Sequence, residues 1–202
     1  MWVPWFVWKH GMMYAIRRAR VCVVTLAMCG VVATAVGQGG DIQWEAAVDV
    51  DTTASSSRPD MALGSDALHM VWGSGADTLY ERSTDNGLTW GDPHMFSFQG
   101  LAARHRIAAD GIRVVVSWTD QPVTSTYEVQ MSYSSDSGLA WSTPQALFSG
   151  SVADTTAIGS FVSGSDVVIL WRIRAATVEY RLRVSHDGGA SWQPERFVAS
   201  AP

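Results

Sequence analysis

The residues best suited to chemistry in this 202-residue chain are arginines and aspartates in loops that flank predicted β-strands. Arginine presents a planar fork of N–H donors that matches a carboxylate, so these residues favour the binding of an anionic ligand. The ligand-binding candidates are Arg58, Asp60, Arg104 and Arg172, and the same loops also carry Arg106, Asp120 and Arg174. These positions do not assign a catalytic residue.

Other familiar kinds of site find no support in the sequence. After residue 37, the histidines lie in different predicted strands and turns, without the i, i+3 or i, i+4 spacing of metal ligands. They are His69, His94, His105 and His186. The sequence has no nucleophile elbow, phosphate-binding glycine loop or dinucleotide fingerprint. We therefore expect no metal and no cofactor.

The most informative pattern is S-x-D-x-G-x-x-W, which occurs three times with its aspartates 51 residues apart. The copies comprise Ser83, Asp85, Gly87 and Trp90; Ser134, Asp136, Gly138 and Trp141; and Ser185, Asp187, Gly189 and Trp192. Self-similarity at a period of roughly 40–50 residues indicates a propeller or a stacked array, with one supersecondary unit in each repeat.

Each copy of the motif has the composition of a tight turn between two strands. The glycine supplies the positive φ that a bulged hairpin loop needs. The aspartate can accept hydrogen bonds from N–H groups of its own turn, and the tryptophan opens the next strand and packs beside the turn. We therefore interpret the motif aspartates as structural rather than catalytic.

Each repeat is predicted to hold four strands and no helix. The first strand follows Arg58-Pro59 and recurs near 104–109 and 156–162. The second strands end in tryptophan, at Trp72, Trp118 and Trp171. The third leads into the motif, and the fourth starts at the motif tryptophan and meets a proline. Trp44 is predicted to open a further fourth strand, and the regular spacing of tryptophans favours packing between blades over stacking on sugars.

The first 37 residues have the features of a secretory signal peptide. Four basic residues and no acidic ones accompany an apolar run from Val21 to Val36, which ends in small residues that suit cleavage. The run is shorter than the roughly 20 residues of a membrane-spanning helix. An uncleaved signal anchor, lipidation at Cys29 and a true start at Met12 or Met13 are the alternatives. The predicted organisation is a signal peptide over 1–37 and propeller blades over 38–202.

The charge of the region after residue 37 excludes one class of partner. It carries all 19 acidic residues, whereas four of the 14 basic residues precede it, which leaves nine negative charges in excess. Nucleic-acid binding needs a basic surface, so we expect no nucleic-acid partner. Both cysteines precede residue 38, so no disulfide is expected. We expect a secreted or periplasmic protein with no membrane contact after signal cleavage.

The repeated motif resembles the Asp-box, also called the bacterial neuraminidase repeat, over about residues 42–202. The second copy has Ala140 and the third has Ser191 where the Asp-box has threonine. The resemblance implies an all-β, partial β-propeller of about three four-stranded blades in the sialidase/neuraminidase-like superfamily, six-bladed if completed. It also implies that the motifs join the third and fourth strands, on the face away from the ligand site. Asp-boxes also occur in xyloglucanase-like glycosidases, sortilin-type receptors and photosystem assembly factors.

The resemblance to sialidases carries over only in part to the candidate residues. Sialidases use three arginines for the carboxylate of sialic acid, a tyrosine nucleophile paired with a glutamate, and an aspartate acid/base. Here Arg58 directly precedes proline and lacks the aromatic residue of the family's first arginine motif. The family's tyrosine and later arginines belong to later blades, and Tyr127 and Tyr180 are interpreted as packing residues.

Three blades alone would leave strand edges open, whereas closed propellers have roughly 4–8 blades. The chain is therefore interpreted as a fragment, as half of a homodimeric ring, or as part of a propeller completed by blades from elsewhere. We expect a non-catalytic module that binds a glycan or a protein. The alternative is a sialidase-like exo-glycosidase, an exo-α-sialidase, that lacks its later blades.

Overall fold

The computed structural model of the protein describes residues 46–50, 56–75, 77–96, 103–151 and 154–201, together with three short strands in the first 25 residues. Together with a fourth short strand they form one sheet, in the order β1 to β4, with bounds Phe6–Lys9, Met12–Arg17, Arg20–Thr25 and Val48–Asp49. Strands β3 and β4 pair in parallel. The predicted signal peptide otherwise lies outside the described residues, as does the strand expected at Trp44. Both stay predictions.

Three four-stranded antiparallel sheets, here named blades 1 to 3, make up the rest of the described chain. Blade 1 consists of β5 Ser56–Leu63, β6 Leu68–Ser74, β7 Asp77–Ser83 and β8 His94–Phe96. Blade 2 consists of β9 Ala103–Asp110, β10 Arg113–Val123, β11 Thr126–Ser134 and β12 Gln145–Gly150. Blade 3 consists of β13 Asp154–Ser163, β14 Asp166–Arg174, β15 Val178–Ser185 and β16 Arg196–Ala201.

These sheets confirm the predicted all-β class and the three four-stranded blades. Runs of β-branched and aromatic residues, such as those of β10 and β14, favour extended backbone because their side chains pack well on a pleated surface. The described residues form no helix, so none of them lies in a helix long and apolar enough to cross a membrane.

The blades stack face to face around a common line of first strands. Strand β9 lies against both β5 and β13, which places the three first strands side by side. The core between blades 1 and 2 contains Val71, Tyr80, Phe96, Ile107, Val114, Val116 and Trp118. The core between blades 2 and 3 contains Val115, Val129, Met131, Leu147, Ala157, Val167, Ile169, Trp171 and Ile173. This is the arrangement of neighbouring propeller blades, as predicted.

The tryptophans are packing residues in this arrangement. Trp118 and Trp171 are fully buried in the two cores between blades, and Trp72 is 1% exposed on the outward side of blade 1. Trp141 packs across to blade 1, where its ring meets that of Tyr80 edge to face at 4.7 Å. The burial of Trp118 and Trp171 between blades, and the contact of Trp141 with Tyr80, support the expectation that tryptophans pack between blades.

The fourth strands correct one prediction, because they start after the proline rather than at the motif tryptophan. Regular pairing begins at His94, Gln145 and Arg196. Between each motif and its fourth strand, the connecting segment donates one backbone hydrogen bond to the third strand. The donors are the N–H groups of Gly91, Ser142 and Gln193. Proline has no N–H to donate, so the ladder resumes only beyond it. The second strands also run past their tryptophans.

The strand register distinguishes two opposite ends of the blades. In blade 1, Leu63 and Ser83 both pair with Leu68, so the turn between first and second strands lies beside the motif turn. We name this end the motif face. The first strands begin at the other end, where the second strands meet the third. We name that end the arginine face, because Arg58, Arg104 and Arg172 lie toward it.

Candidate functional site

The three motif turns share one hydrogen-bond network on the motif face. In the first, Ser83 Oγ donates to Asp85 Oδ1 at 2.7 Å and accepts from Gly87 N at 2.8 Å. Asp85 in turn accepts from the N–H of Thr89 at 2.9 Å and from its hydroxyl at 2.6 Å. The same bonds recur around Asp136 and Asp187, except that Ala140 has no hydroxyl to donate.

This network fixes the motif aspartates in their ionised form. The hydroxyl and N–H of Thr89 lower the pKa of Asp85 to about 2. The Ala140 N–H lowers the pKa of Asp136, and the Ser191 hydroxyl lowers that of Asp187. Carboxylates whose oxygens are engaged by their own turn are poor proton donors and have little capacity left for a ligand.

The backbone of each motif turn holds two successive left-handed residues. Gly87, Gly138 and Gly189 have φ of 90°, 80° and 103°, as the sequence predicts. The residue before each glycine is also left-handed, with φ of 64° at Asn86, 61° at Ser137 and 81° at Gly188. The sequence analysis predicts only one left-handed residue in each turn. The second could have been expected at two of the three positions, because asparagine and glycine tolerate a positive φ best.

An Ala140→Thr substitution is expected to stabilise the protein, because it restores the hydroxyl that the other two turns donate to their aspartates. The turn is exposed, so we expect a gain of about 0.5–1 kcal/mol, or roughly 1–4 °C in Tm. Thermal unfolding followed by circular dichroism measures it. Ala140→Val matches the shape of threonine without the donor, and an equal gain in that variant would contradict the hydrogen-bond explanation.

Arg58 and Arg104 occupy the same position in two neighbouring blades on the arginine face. Each is the first of two bulged residues in a first strand, opposite Trp72 and Trp118 respectively. Their φ values are 52° and 57°, a left-handed conformation that is strained for a non-glycine residue. Both residues are exposed, and neither guanidinium has a hydrogen-bond partner among the described residues. The part of the chain that the structure describes thus offers no partner to either of these two equivalent arginines.

Asp60 and Arg106 join the blades instead of facing outward. Asp60 Oδ2 accepts a hydrogen bond from the N–H of Ile107 in blade 2 at 3.1 Å, and its Oδ1 accepts from Met61 N at 3.1 Å. Arg106 Nε donates to the carbonyl of Ile158 in blade 3 at 3.1 Å. Burial raises the pKa of Asp60, although these bonds and Arg106 oppose the shift. This geometry is that of an inter-blade connector.

His105 lies beneath the arginine face and was not selected from the sequence. It is 2% exposed, and its Nδ1 is 2.7 Å from Thr78 Oγ1 of blade 1. Burial, with the nearby charges of Arg58 and Arg106, lowers the pKa of His105 to about 4. The imidazole is therefore neutral at pH 7 and links the Arg104 bulge to the third strand of blade 1.

Arg172 is already paired within blade 3. Its Nη2 lies 2.7 Å from Asp154 Oδ1, and Arg174 Nη1 lies 3.9 Å from Asp154 Oδ2. Partial burial acts to raise the pKa of Asp154, but the hydrogen bond and charge of Arg172 outweigh it and the pKa is lowered. Arg172 takes the strand position that Thr119 has in blade 2, so it lies on the outward side of blade 3 rather than beside Arg58 and Arg104.

Asp120 is a buried carboxyl near the arginine face. It is 5% exposed, accepts from Gln121 N at 2.7 Å and pairs in register with Glu128. Burial raises its pKa, and the charge of Glu128 adds to the shift. Among the described residues, no three histidine, cysteine, aspartate or glutamate side chains gather as metal ligands.

No protein-family model matches the sequence, and no curated protein is similar to it. Solved structures are similar in fold. Hadza microbial sialidase Hz136 is 14% identical, with a TM-score of 0.59, over 94% of this chain and 45% of that one. Trypanosoma rangeli sialidase in complex with 2,3-difluorosialic acid is 14% identical, with a TM-score of 0.54, over 73% and 30%.

The catalytic domain of Coprinopsis cinerea GH62 α-L-arabinofuranosidase is also 14% identical, with a TM-score of 0.52, over 94% of this chain and 66% of that one. These similarities show that the fold is that of β-propeller glycosidases. The chain spans less than half the length of either sialidase.

Proposed function

We propose that this chain is part of an extracytoplasmic Asp-box propeller that binds an acidic glycan through its arginine face and does not cleave it. Three motif turns with the same aspartate network support the Asp-box assignment. They lie at the opposite end of the blades from Arg58 and Arg104, as the resemblance implies for a ligand face.

The observation that carries the proposal is the pair of equivalent arginines. Arg58 and Arg104 keep a strained left-handed backbone at the same bulge of neighbouring first strands. Such strain persists where the surrounding structure holds it, and it concentrates at ligand sites. Two guanidinium groups without a partner among the described residues, on first strands that lie side by side, have the chemistry to bind a carboxylate. Among the fold relatives, one sialidase holds a sialic acid derivative, a sugar with a carboxylate.

Binding without hydrolysis is proposed because the resemblance places the tyrosine nucleophile in later blades, and neither Tyr127 nor Tyr180 is arranged to replace it. A tyrosine nucleophile needs a carboxylate partner to activate it. Neither Tyr127 nor Tyr180 makes a hydrogen bond to a carboxylate among the described residues. The nearest glutamate in sequence to Tyr180, Glu179, is engaged by Arg181 at 2.7 and 3.0 Å.

Binding of sialyllactose to the purified full chain, measured by calorimetry, tests the proposal. We expect lactose, which lacks the carboxylate, not to bind. Arg58→Ala and Arg104→Ala should each raise the Kd by roughly 10-fold or more, because each removes a charged hydrogen-bonding group. Arg196→Ala removes an exposed arginine of the outermost strand and serves as the control. Equal affinity for sialyllactose and lactose would rule out carboxylate recognition by the arginine pair.

The second candidate is a sialidase-like exo-glycosidase completed by further blades, and Asp120 is the observation that favours it. A buried carboxyl with a raised pKa next to a second carboxylate is suited to act as a general acid. Release of fluorophore from a sialoside by this chain, abolished in Asp120→Asn, would favour this candidate over the non-catalytic one.

A further inference from the structure

A groove lies between the outer strands of blades 2 and 3, where the fourth strand of blade 2 faces the third and fourth strands of blade 3. Strand β12 is the outermost strand of its sheet, so the groove is at the opposite edge of the blades from the first strands. It has a volume of about 350 Å³ and is lined by Ala146, Leu147, Phe148, Ser149, Arg183 and Glu195. We name it the rim groove.

Arg183 is the cation of the rim groove, and it has no partner among the described residues. It pairs in register with Ile169, on the side of blade 3 that faces blade 2, and its Nε is buried without a hydrogen bond. Arg82 and Arg172 also have a buried, unpaired Nε, but each binds an aspartate through its Nη2. Buried donors are normally satisfied, so Arg183 is suited to receive an anionic group from a ligand.

The carboxylates closest to Arg183 along the strands are engaged by Arg181 instead. Glu179 Oε2 accepts from Arg181 Nε at 3.0 Å and from its Nη2 at 2.7 Å, and Glu195 Oε1 accepts from its Nη1. These two arginines and two glutamates carry no net charge together. The rim groove therefore presents one unpaired cation beside a carboxylate, Glu195, whose Oε2 can still accept a hydrogen bond.

The junction between blades 1 and 2 is filled at the equivalent positions. Ser132 lies two residues before the motif serine, as Arg183 does, but it is 0% exposed and donates to a backbone carbonyl at 2.7 Å. Phe96 has the strand position of Phe148, is 3% exposed and stacks on the buried tryptophan of blade 2 at 5.4 Å. Phe148 is only half-buried. The rim groove thus arises from the residues of this one junction and not from the shape of the repeat.

We propose that the rim groove binds a free α-amino acid with an apolar side chain. The Arg183 guanidinium receives its carboxylate, Glu195 Oε2 receives its ammonium group, and Leu147 and Phe148 contact its side chain. A zwitterion satisfies both charged groups of a cluster without net charge, whereas a simple anion or cation satisfies only one. The volume is at the lower end of the roughly 300–1,000 Å³ of ligand pockets, which suits a small ligand. The proposal does not rest on glycan binding, because the arginine face belongs to the first strands.

Nuclear magnetic resonance of the purified full chain with L-phenylalanine tests the proposal. The side-chain Nε–H signal of Arg183, assigned by triple-resonance experiments, should shift and saturate as the ligand is added to about 10 mM. Saturation transfer to the ligand gives the Kd. Arg183→Ser introduces the residue of blade 2 and should raise the Kd by roughly 10-fold or more. Arg196→Ser removes an exposed arginine of the next strand and is the matched control.

Two analogues of phenylalanine separate the two charged contacts in the wild-type protein. Hydrocinnamate lacks the ammonium group and phenethylamine lacks the carboxylate, so each should bind at least about 10-fold more weakly. An Arg183 signal that does not respond to L-phenylalanine would overturn the proposal, even if Arg183→Ser fails to fold. Equal binding of either analogue would overturn it too, as would wild-type affinity in a folded Arg183→Ser variant. A shift of the Arg183 signal with weaker binding of both analogues supports it.

Discussion

Gly138→Ala is expected to destabilise the protein by roughly 2–5 kcal/mol, because backbone strain and a steric overlap add. Gly138 has φ of +80°, and a methyl group there would lie 2.6 Å from Tyr80 Cζ and overlap its hydroxyl. Tyr80 cannot move away easily. It is 2% exposed, its hydroxyl is 2.7 Å from His69 Nδ1, and its ring packs against Trp141.

Urea unfolding of matched variants separates the two causes. Gly111 also has a left-handed φ of +61°, but a methyl group there meets nothing within 4 Å, so Gly111→Ala should cost only about 1–2 kcal/mol. Tyr80→Leu introduces the residue that blade 3 has at this position and removes the overlap. In that background Gly138→Ala should cost no more than Gly111→Ala. An unchanged cost there would show that Tyr80 is not the obstacle.

Stability is expected to fall steeply between pH 7 and pH 4, by about 3 kcal/mol for each of two buried histidines. Burial lowers the pKa of His69 and of His105 to about 4, from an ordinary value of 6.5. The unfolded chain therefore binds more protons than the folded one in this range. The stabilising contribution is fully present above pH 6.5 and is lost as the pH falls toward 4.

The free energy of unfolding, measured in urea at several pH values, checks this dependence. His69→Val introduces the valine that blades 2 and 3 have at this position, and His105→Asn keeps a hydrogen-bonding group for Thr78. Each variant should reduce the change in unfolding free energy between pH 6.5 and 4. Burial raises the pKa of Asp60 and Asp120, so they take up protons on folding and offset part of the loss. A wild-type profile that is flat over this range would contradict the assignment of two neutral buried histidines.

The architecture was largely readable from local sequence patterns. The motif turns depend on bonds within eight consecutive residues, and the second strands depend on runs of β-branched residues ending in tryptophan, so both are encoded nearby. The fourth strands were placed too early because a motif tryptophan signals burial but not the start of a hydrogen-bond ladder. That start depends on Pro93, Pro144 and Pro194, which interrupt donation from the backbone.

The sequence by itself thus determined the repeat, the turn chemistry and the four-stranded blade, because each arises from residues close together in the chain. Only the tertiary structure decided what the candidate side chains do. It pairs Arg172 with Asp154, engages Asp60 with the backbone of Ile107, and leaves Arg58 and Arg104 unpaired among the described residues. These fates depend on contacts between strands up to 47 residues apart, and spacing along the chain does not encode them.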